Sequence, residues 1–538
     1  MKKKLFALLL SLTLAAGLSA CGGAPQSPGG QSSSTPEDGP KDEVIISISS
    51  EPETLDPCQG WGHGATPLVQ STLVEYRQDM SFVNDLAEDY TLSEDGLTWT
   101  FRLREGVKFT DGEALTASDV VFTFETAKTS QSSLDLTFLE KVEAPDDRTV
   151  VFTMSKPTST FLNTVATVGI VPEHAYGPGY GDAPIGSGPF KFVQWNKQEQ
   201  LILEANEDYY GTVPAMKKVT IVFQDEDAAF AAVKAGQADI ALTAATLADA
   251  VIPGYTLRAV TTADNRGLTL PMVPNEGKLT ESGFPYGNDV TCNLEIRQAM
   301  AYAADREMIA EMALGGFATP CWSENDGFPW NNPEVKLDTD IEYAKKLLSD
   351  AGWADTDGDG IVERDGLKAA FTCVYPSGDS VRQAVAMAAA EQFKAIGIQM
   401  TVEGTSWDDI SKRMFTEAVC MGWGSSNPYT TYCLFHTDNS LKDDYYNPEG
   451  YSSPVVDGYL EAAMEALTPE EANRNWQLSQ WDGSTGTAMQ GDCPWVWLVN
   501  VQHLYYAREG LDIGQQQLHP HGASMPLLQN LRDWTWTA

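Results

Sequence analysis

The sequence predicts an α/β chain of several domains, on three observations. Segments in which apolar and polar residues alternate, as in strands, are interleaved with segments of helical period. The part that follows residue 42 is nearly five hundred residues long, which is more than one hydrophobic core supports. No repeat of fixed period is found, which excludes a solenoid.

The N-terminus predicts export and a lipid anchor. Residues 1–20 run from three lysines through a short apolar segment to small residues, which is typical of a secretory signal peptide. The following LSAC resembles the lipobox of bacterial lipoproteins, which implies lipidation of Cys21; a chance cysteine after an ordinary signal is the alternative. Residues 21–42 are rich in Gly, Ser and Pro and predict a flexible tether. No later segment is long and apolar enough to span a membrane.

Strands and helices of the first half follow from local patterns. VIISIS (44–49) is a β-branched run and predicts a strand, and residues 97–109 predict two strands that turn at Gly106. A helix is expected to begin at Thr116, which is a plausible N-cap because Asp119 stands three residues further on.

The pattern continues towards the C-terminus. Residues 219–242 read as strand, helix and strand, with Gly236 ending the helix, and so predict a βαβ-like unit. Residues 293–316 predict a helix capped by Asn293. Further helices are predicted over 379–397 and 452–467, and a strand is predicted over 398–404.

Charge and cysteine content exclude some classes of partner. Removing the three lysines of the signal takes the net charge from −40 to −43, which argues against nucleic acid and anionic lipid as binding partners. Apart from Cys21 there are seven cysteines, so at least one thiol is unpaired. This odd number favours an oxygen-poor habitat or metal chemistry over a disulfide framework.

A family resemblance rests on LTWTFRLREGVKFTDGEALTASDVVFTFE (97–125). The segment resembles the signature of the family 5 solute-binding proteins, the extracytoplasmic receptors of ABC importers for peptides, nickel chelates and related solutes. Further matches follow in the family's order and cover the mature chain: VPEHAY (171–176), GSGPFKFVQW (186–195), ANEDYYG (205–211), IRQAMAYAADREMI (296–309), AKKLLSDAGW (344–353), QFKAIGIQM (392–400) and YNPEGYSSPVVDGYLEAA (446–463).

The resemblance implies a two-lobed periplasmic-binding-protein-like fold of type II, with an extra domain and a hinged cleft. Such a monomer closes on an unreacted solute and is recognised by a membrane permease, so no enzyme activity and no cofactor are expected. Residues 264–275 would lie where the chain crosses between the lobes. The implied parts are lobe 1 (43–60, 186–268 and 490–538), the extra domain (61–185) and lobe 2 (269–489).

The cleft wall of lobe 2 is expected at residues 423–428. Peptide-binding members resemble W-x-x-D-Y-P-D-P there, and the first aspartate binds the peptide's α-ammonium. This chain has no acid in the segment, which removes a charge-assisted anchor and argues against an ordinary oligopeptide without excluding one. The WG form is closer to that of nickel-chelate binders. The implied ligand contacts are Trp61, His63, Arg266, Trp423, Gly424, Ser425, Ser426, Asn427, Tyr432 and His436.

Several of these residues have alternative interpretations. The glycines beside Trp61 and Trp423 would give each ring room and let a ligand approach the backbone, unless the rings pack in the core. Arg266 would bind a ligand carboxylate or fix the hinge through an ion pair. His519 and His521, in HPHG, are expected in a surface turn.

Two metal sites are considered. One thiol–imidazole pair from each lobe, Cys58 with His63 and Cys433 with His436, would suit Ni²⁺, Cu or Zn²⁺; buried structural residues are the alternative. A metal held by a small chelator would need only His63 or His436. Residues 355–366 begin like a calcium loop but lack its final glutamate, so a structural Ca²⁺ and a plain turn both stay open. The calcium ligands would be Asp355, Asp357, Asp359, Glu363 and Asp365.

Three functions remain open. A transport receptor is favoured, and an exported hydrolase or a lipid-anchored ligand sensor with the same fold are the alternatives. The hydrolase motifs HExxH, GxSxG and SxxK are not found.

Overall fold

A computed structural model describes most of the chain after the tether. The described residues are 41–59, 67–130, 134, 136–522 and 524–537. The predictions for Cys21, Trp61 and His63, for the signal peptide and for nearly all of the tether lie outside the described residues.

Strands and helices alternate, as predicted. The strands are β1 (Glu43–Ile48), β2 (Val74–Tyr76), β3 (Phe82–Asn84), β4 (Ala87–Leu92), β5 (Thr98–Leu103), β6 (Leu139–Asp146), β7 (Thr149–Met154), β8 (Phe190–Asn196), β9 (Gln200–Ala205), β10 (Lys218–Phe223), β11 (Ile240–Thr243), β12 (Tyr255–Val260), β13 (Asn265–Thr269), β14 (Ala318–Pro320), β15 (Glu363–Arg364), β16 (Leu367–Lys368), β17 (Ala370–Pro376), β18 (Gln399–Thr405), β19 (Ala418–Met421), β20 (Trp495–Val501), β21 (His503–Arg508), β22 (Leu511–Asp512) and β23 (Thr535–Trp536). The α-helices are α1 (Ala117–Thr129), α2 (Phe161–Val165), α3 (Glu226–Lys234), α4 (Leu294–Ala303), α5 (Arg306–Leu314), α6 (Ile341–Asp350), α7 (Ser380–Lys394), α8 (Trp407–Arg413), α9 (Tyr429–Phe435), α10 (Pro454–Glu465) and α11 (Pro469–Gln480).

Lobe 1 is built on a seven-stranded sheet of order β12-β21-β11-β1-β10-β9-β8 in the part of the chain described. β1 pairs in parallel with β10 and with β11, and α3 connects these two neighbours. This is the βαβ unit predicted from the sequence. Asp225 caps α3 by accepting the Ala228 N–H at 2.9 Å, which satisfies one of the free donors of the first turn.

Lobe 2 is built on a six-stranded sheet of order β14-β20-β13-β19-β17-β18, counted over the described residues. β17 pairs in parallel with β18 and β19, and α7 connects β17 to β18. The core includes Trp495 and Trp497, whose rings stack with centroids 4.3 Å apart. The burial of two indoles in one strand anchors β20 in this lobe.

The extra domain contains an antiparallel sheet of order β4-β5-β7-β6, covered by α1. Phe101, Phe124 and Phe152 are fully buried in its own core. The predicted start of α1 is confirmed: the Thr116 N–H donates to Asp119 Oδ2 at 2.9 Å, and the helix begins at the next residue, 117.

The chain passes twice between the two large sheets within the described ranges, and we call this region the crossing. Residues 261–264 connect β12 of lobe 1 to β13 of lobe 2, and Gln502 connects β20 of lobe 2 to β21 of lobe 1. The predicted lobe boundaries are therefore wrong at two points. Residues 265–268 and 495–501 belong to lobe 2, because β13 pairs with β19 and β20.

The single helix predicted over 293–316 is two helices, α4 and α5. Ala304 adopts an extended conformation, and the Asp305 side chain accepts the Met308 N–H at 2.9 Å. Asp305 thus acts as an N-cap and starts a second helix. The apolar period continues through this position and therefore predicted a single helix.

Candidate functional site

Three segments meet at the crossing: the link between β12 and β13, the residues after β19, and the C-terminal segment after β22. The link between β12 and β13 joins the two lobes. Hydrogen bonds therefore hold the residues after β19 and the C-terminal segment to the hinge. The backbone and side-chain bonds between them are Ala263 N–H to His519 O (2.8 Å), Asn265 N–H to Trp423 O (3.2 Å), Trp423 N–H to Asn265 Oδ1 (2.8 Å) and His521 N–H to Gly424 O (2.9 Å).

The glycines beside Trp423 serve backbone packing at the crossing. A Cβ on Gly422 would lie 2.0 Å from Asn265 O, and one on Gly424 would lie 2.0 Å from Ala263 O. Gly424 also has a φ of 140°, which side chains rarely allow. The group that requires glycine at both positions is therefore the chain's own backbone. Contact with a ligand stays a prediction.

Arg266 forms an ion pair at the hinge. Its guanidinium lies 2.5 Å from Asp264 Oδ1, and both side chains are buried. Asp264 also contacts His503 at 3.1 Å and His521 at 2.5 Å. Burial alone would raise the pKa of Asp264, but the charges of Arg266 and His521 and the bonds from both histidines hold it well below its usual range. Of the two predicted roles of Arg266, the structure contains the ion pair.

Trp423 is half-buried, and its ring stacks on Tyr446 with centroids 4.7 Å apart and planes 17° apart. Its indole N–H is buried and has no acceptor among the described residues. Trp423 therefore presents a rigid aromatic pair at the start of the wall predicted from the sequence.

The extra domain contacts this wall. The Ser426 carbonyl accepts the Asn163 side-chain amide at 3.2 Å and the Tyr76 hydroxyl at 3.5 Å. Burial raises the pKa of Tyr76, so its hydroxyl keeps the proton that it donates. Ser425 Oγ accepts the Asn427 N–H at 3.1 Å and fixes the turn that precedes α9. The wall is thus held from the extra domain as well as from the crossing.

His436 is buried at the end of α9, and both ring nitrogens are engaged. Nδ1 accepts the Asp438 N–H at 3.1 Å, and Nε2 lies 3.4 Å from Glu461. The ring stacks on Tyr432 at 4.3 Å, which in turn stacks on Tyr429. The side chain therefore has a structural environment, and neither of its nitrogens is open to a metal in this conformation.

The predicted cleft metal is not assembled by the described residues. The Cys58 thiol donates to Thr123 O at 3.6 Å within the core of the extra domain, and burial raises its pKa. Cys433 is buried on α9. Neither thiol belongs to a group of three metal-ligating side chains in the described part of the chain. A buried, protonated thiol such as that of Cys58 is a poor ligand.

The calcium-like loop brings three carboxylates together. Asp355, Asp357 and Glu363 place ligand oxygens within 4.8 Å of one another. The Lys368 ammonium binds Asp357 at 2.8 Å and also contacts Asp359, so a cation of the chain already neutralises this edge. Asp365 lies in the turn that follows, with a φ of 52°. Calcium in this loop stays a prediction, and it would compete with Lys368.

A groove of about 610 Å³ lies between the extra domain and the C-terminal part of lobe 1. Arg532 spans it and forms two bonds with Glu75, at 2.6 and 2.7 Å. Burial, together with the charge of Glu75, raises the pKa of Asp85 in its wall to about 7. Tyr76 lines the groove and also reaches Ser426, so the groove borders the predicted wall. Its size suits a small solute.

None of the seven cysteines in the described region forms a disulfide. Six are buried, and Cys292, before α4, is half-buried. Burial raises the pKa of the Cys292 thiol above its ordinary value. The expectation of at least one thiol outside a disulfide is therefore confirmed.

None of the helices in the described ranges combines the length and apolar character that crossing a membrane requires. Two lobes joined by two short connections, with an extra domain against the wall of one lobe, define a hinged binding protein of the class that closes on a solute.

Comparison with known proteins identifies the family. The model for bacterial extracellular solute-binding proteins, family 5 (middle region), matches residues 81–443. The chain belongs to this family. Its members bind peptides or metal chelates and deliver them to the permeases of ABC importers, outside the cytoplasm. The two-lobed α/β fold inferred from the resemblance is confirmed.

Individual relatives cover nearly the whole chain. Protein XP55 of Streptomyces lividans is 33% identical over 491 residues, which are 88% of this chain and 86% of that protein. The oligopeptide-binding protein AppA of Bacillus subtilis is 29% identical over 88% of this chain and 90% of its own. The structure of NikZ from Campylobacter jejuni in complex with Ni(L-His) aligns with a TM-score of 0.74 and 25% identity, covering 92% of this chain and all of NikZ.

Sequence reasoning missed several residues of the site. Tyr76 and Asn163 carried no motif, and their role depends on a contact with Ser426 that lies hundreds of positions away. Asp264 begins the predicted crossing segment but has no motif of its own, and His503 follows the second crossing, which the implied boundaries placed at residue 490 instead of at Gln502. His519 was expected in a surface turn but is fully buried.

Proposed function

We propose that this protein captures a peptide-type solute by closure of its two lobes and delivers it to an ABC permease, while a lipid on Cys21 holds it at the membrane. The observation that carries the proposal is the hinge: both connections between the large sheets are short, and the wall of lobe 2 is bonded to them. The names of relatives support the solute class, since AppA binds oligopeptides and GsiB of Salmonella typhi, 26% identical, binds glutathione.

Closure would place the solute against Trp423 and its neighbours. The stacked Trp423–Tyr446 pair offers a flat apolar surface. A solute that touches both lobes stabilises the closed form, because those contacts exist only there. No bond of the solute is broken.

A nickel chelate is the second candidate. It is supported by the likeness to NikZ, whose structure holds Ni(L-His). Here the chelator would supply the metal's ligands, since His436 is engaged with Asp438 and Glu461.

Calorimetry with a mixed library of di- to hexapeptides tests the first candidate. We expect binding heat that survives a chelator, and a solute that is recovered unchanged. Ni²⁺ with free L-histidine tests the second, through a rise of the melting temperature that a chelator abolishes. Peptide heat without a nickel response supports the proposal, and the reverse result contradicts it. Turnover of a peptide would indicate a hydrolase.

Trp423→Ala is expected to weaken solute binding about tenfold to a hundredfold, because truncating a central aromatic residue typically costs about 1.5–3 kcal/mol. Trp195→Ala is the matched control: this half-buried indole lies in β8, the edge strand of lobe 1. Calorimetric titration of both variants with those library peptides that the native protein binds measures the change in affinity. Equal affinity of the two variants would remove Trp423 from the site.

The contacts of the extra domain with Ser426 are expected to slow solute release. Asn163→Ala removes the shorter bond and Tyr76→Phe the longer, and each is expected to raise the dissociation rate roughly threefold to tenfold, for a loss of about 1 kcal/mol. Thr129→Ala is the control, since within the described structure its hydroxyl bonds to carbonyls of its own helix. Stopped-flow Trp fluorescence measures the rates; unchanged release in both variants would show that these bonds do not hold the closed form.

A further inference from the structure

His503 is the first residue of β21 and directly follows the second connection between the lobes. It is buried, with 2% of its surface exposed. One ring nitrogen, Nε2, lies 3.1 Å from Asp264 Oδ2 of the first connection. The other, Nδ1, lies 3.1 Å from His519 Nδ1 of the C-terminal segment. His503 thus links both connections between the lobes to the segment that braces them.

The side-chain amide of Gln516 fixes the protonation of its neighbour. Gln516 Nε2 donates to Ile513 O at 2.8 Å and to Asn530 Oδ1 at 2.7 Å, so this atom is the nitrogen. Gln516 Oε1 therefore accepts, and it lies 3.1 Å from His519 Nε2. It follows that His519 carries a proton on Nε2.

His519 is neutral. Burial is the main cause that lowers the pKa of His519, to about 3. A neutral imidazole has one N–H, which in His519 is on Nε2, so its Nδ1 carries a lone pair. The short contact between the two Nδ1 atoms is then a hydrogen bond only if His503 donates.

The second nitrogen of His503 must donate as well. Asp264 is ionised, and a carboxylate only accepts hydrogen bonds. A lone pair on His503 Nε2 would face the carboxylate oxygen and repel it. Both nitrogens of His503 therefore carry protons, and the ring is an imidazolium.

The other charged groups at this point are consistent with that state. Arg266 and His521 both bind Asp264 Oδ1, at 2.5 Å each, and Arg266 Nη2 also lies 3.5 Å from Oδ2, the oxygen that His503 contacts. The ring of Tyr505 lies 6.4 Å from that of His519, and burial keeps its hydroxyl protonated by raising the pKa of Tyr505. The carboxylate of Asp264 is the only acid bonded to His503 among the described residues.

We propose that His503 is an obligatory imidazolium whose two N–H groups lock the C-terminal segment to the crossing, so that the hinge depends on one buried proton. A neutral His503 satisfies only one of its two contacts: either two lone pairs face each other at His519, or one faces Asp264. Loss of the proton would loosen the segment that bonds to Gly424 and the wall. The consequence for solute capture rests on the proposed function; the protonation state does not.

Nitrogen-15 NMR of the histidine side chains tests the proton directly. The chain has six histidines, so the spectrum can be assigned with single His→Gln variants. At about pH 7 we expect two protonated nitrogens on His503 and one on His519. His436 is an internal reference, because its Nδ1 accepts a backbone N–H. An unprotonated nitrogen on His503 at this pH would overturn the proposal.

Thermal unfolding of His503→Gln tests the lock without any solute. A glutamine side chain cannot donate hydrogen bonds to both acceptors, which lie on opposite sides of the native imidazole ring. We therefore expect the melting temperature of His503→Gln to fall roughly 2–4 °C below that of the native protein near pH 6. A melting temperature equal to that of the native protein would contradict the proposal. If the variant does not fold, the NMR measurement on the native protein still decides. Failure to bind peptides would leave both results unchanged.

Discussion

Glu449→Gln is expected to gain stability relative to the native protein as the pH rises from about 5 to about 8. Glu449 is fully buried; one carboxyl oxygen accepts the Trp495 indole N–H at 2.9 Å, and the other has no partner among the described residues. Burial raises the pKa of Glu449 from 4.5 to about 8. The folded protein therefore holds a proton that the unfolded chain releases.

The sign follows from this difference in proton binding. Below pH 4.5 Glu449 is protonated in both the folded and the unfolded protein, so it causes no loss of unfolding free energy there. Between that point and the folded pKa, the native protein loses about 1.4 kcal/mol of unfolding free energy per pH unit, on the order of 4 kcal/mol in all. Glutamine does not titrate and keeps an oxygen for Trp495, so the difference between the two proteins should grow by this amount.

Urea unfolding of both proteins at about pH 5 and pH 8 measures the difference. Glu324 and Asp85, whose pKa burial raises to about 7 in each case, remain in both proteins and cancel. Glu94→Gln is the control, since this carboxylate lies at the surface and its replacement leaves the buried carboxyl of Glu449 in place. A constant gap between native protein and Glu449→Gln would mean that Glu449 is ionised in the folded state or exposed to water.

Gly424→Ala is expected to destabilise the protein by roughly 3–5 kcal/mol and to abolish solute capture. The added Cβ would lie 2.0 Å from the Ala263 carbonyl, and the φ of 140° is strained for alanine. The clash involves backbone on both sides, so it cannot be relieved by a rotamer change. Separation of the two segments would pull the wall away from the crossing.

Gly458→Ala is the matched control for this substitution. Gly458 lies in α10, and a Cβ added there would meet no described atom within 4 Å, so alanine should be neutral or stabilise by up to about 1 kcal/mol. Unfolding free energies and peptide calorimetry of both variants measure the two effects. Native stability of Gly424→Ala would show that the three segments separate easily.

The elements that follow local rules were predictable. Thr116 and Asp119 form the capping box that their spacing indicated. The strand–helix–strand pattern around Gly236 folds as a unit because its pairing partner, β1, binds both strands in parallel. The start of α5 could also have been predicted, because Asp305 is a favourable N-cap residue within the apolar period. It was missed because the family resemblance over 296–309 was treated as one continuous helix.

The lobe boundaries were not predictable from pattern. Residues 495–508 form an almost unbroken apolar and aromatic run, and nothing in it shows that the chain changes sheets at Gln502. Which sheet a strand joins is decided by partners far along the chain, as β13 is by β19 and β20. For the same reason, the glycines beside Trp423 were recognised, but their partners, the carbonyls of Asn265 and Ala263, were not.

The reduced cysteines have a practical meaning for the organism and for experiment. With six of seven described thiols shielded in the cores, the fold gains nothing from an oxidant during export and has no disulfide among these residues for a reductant to break. Cys292, half-buried at the entrance to α4, is left as the natural attachment point for a fluorescent dye on lobe 2.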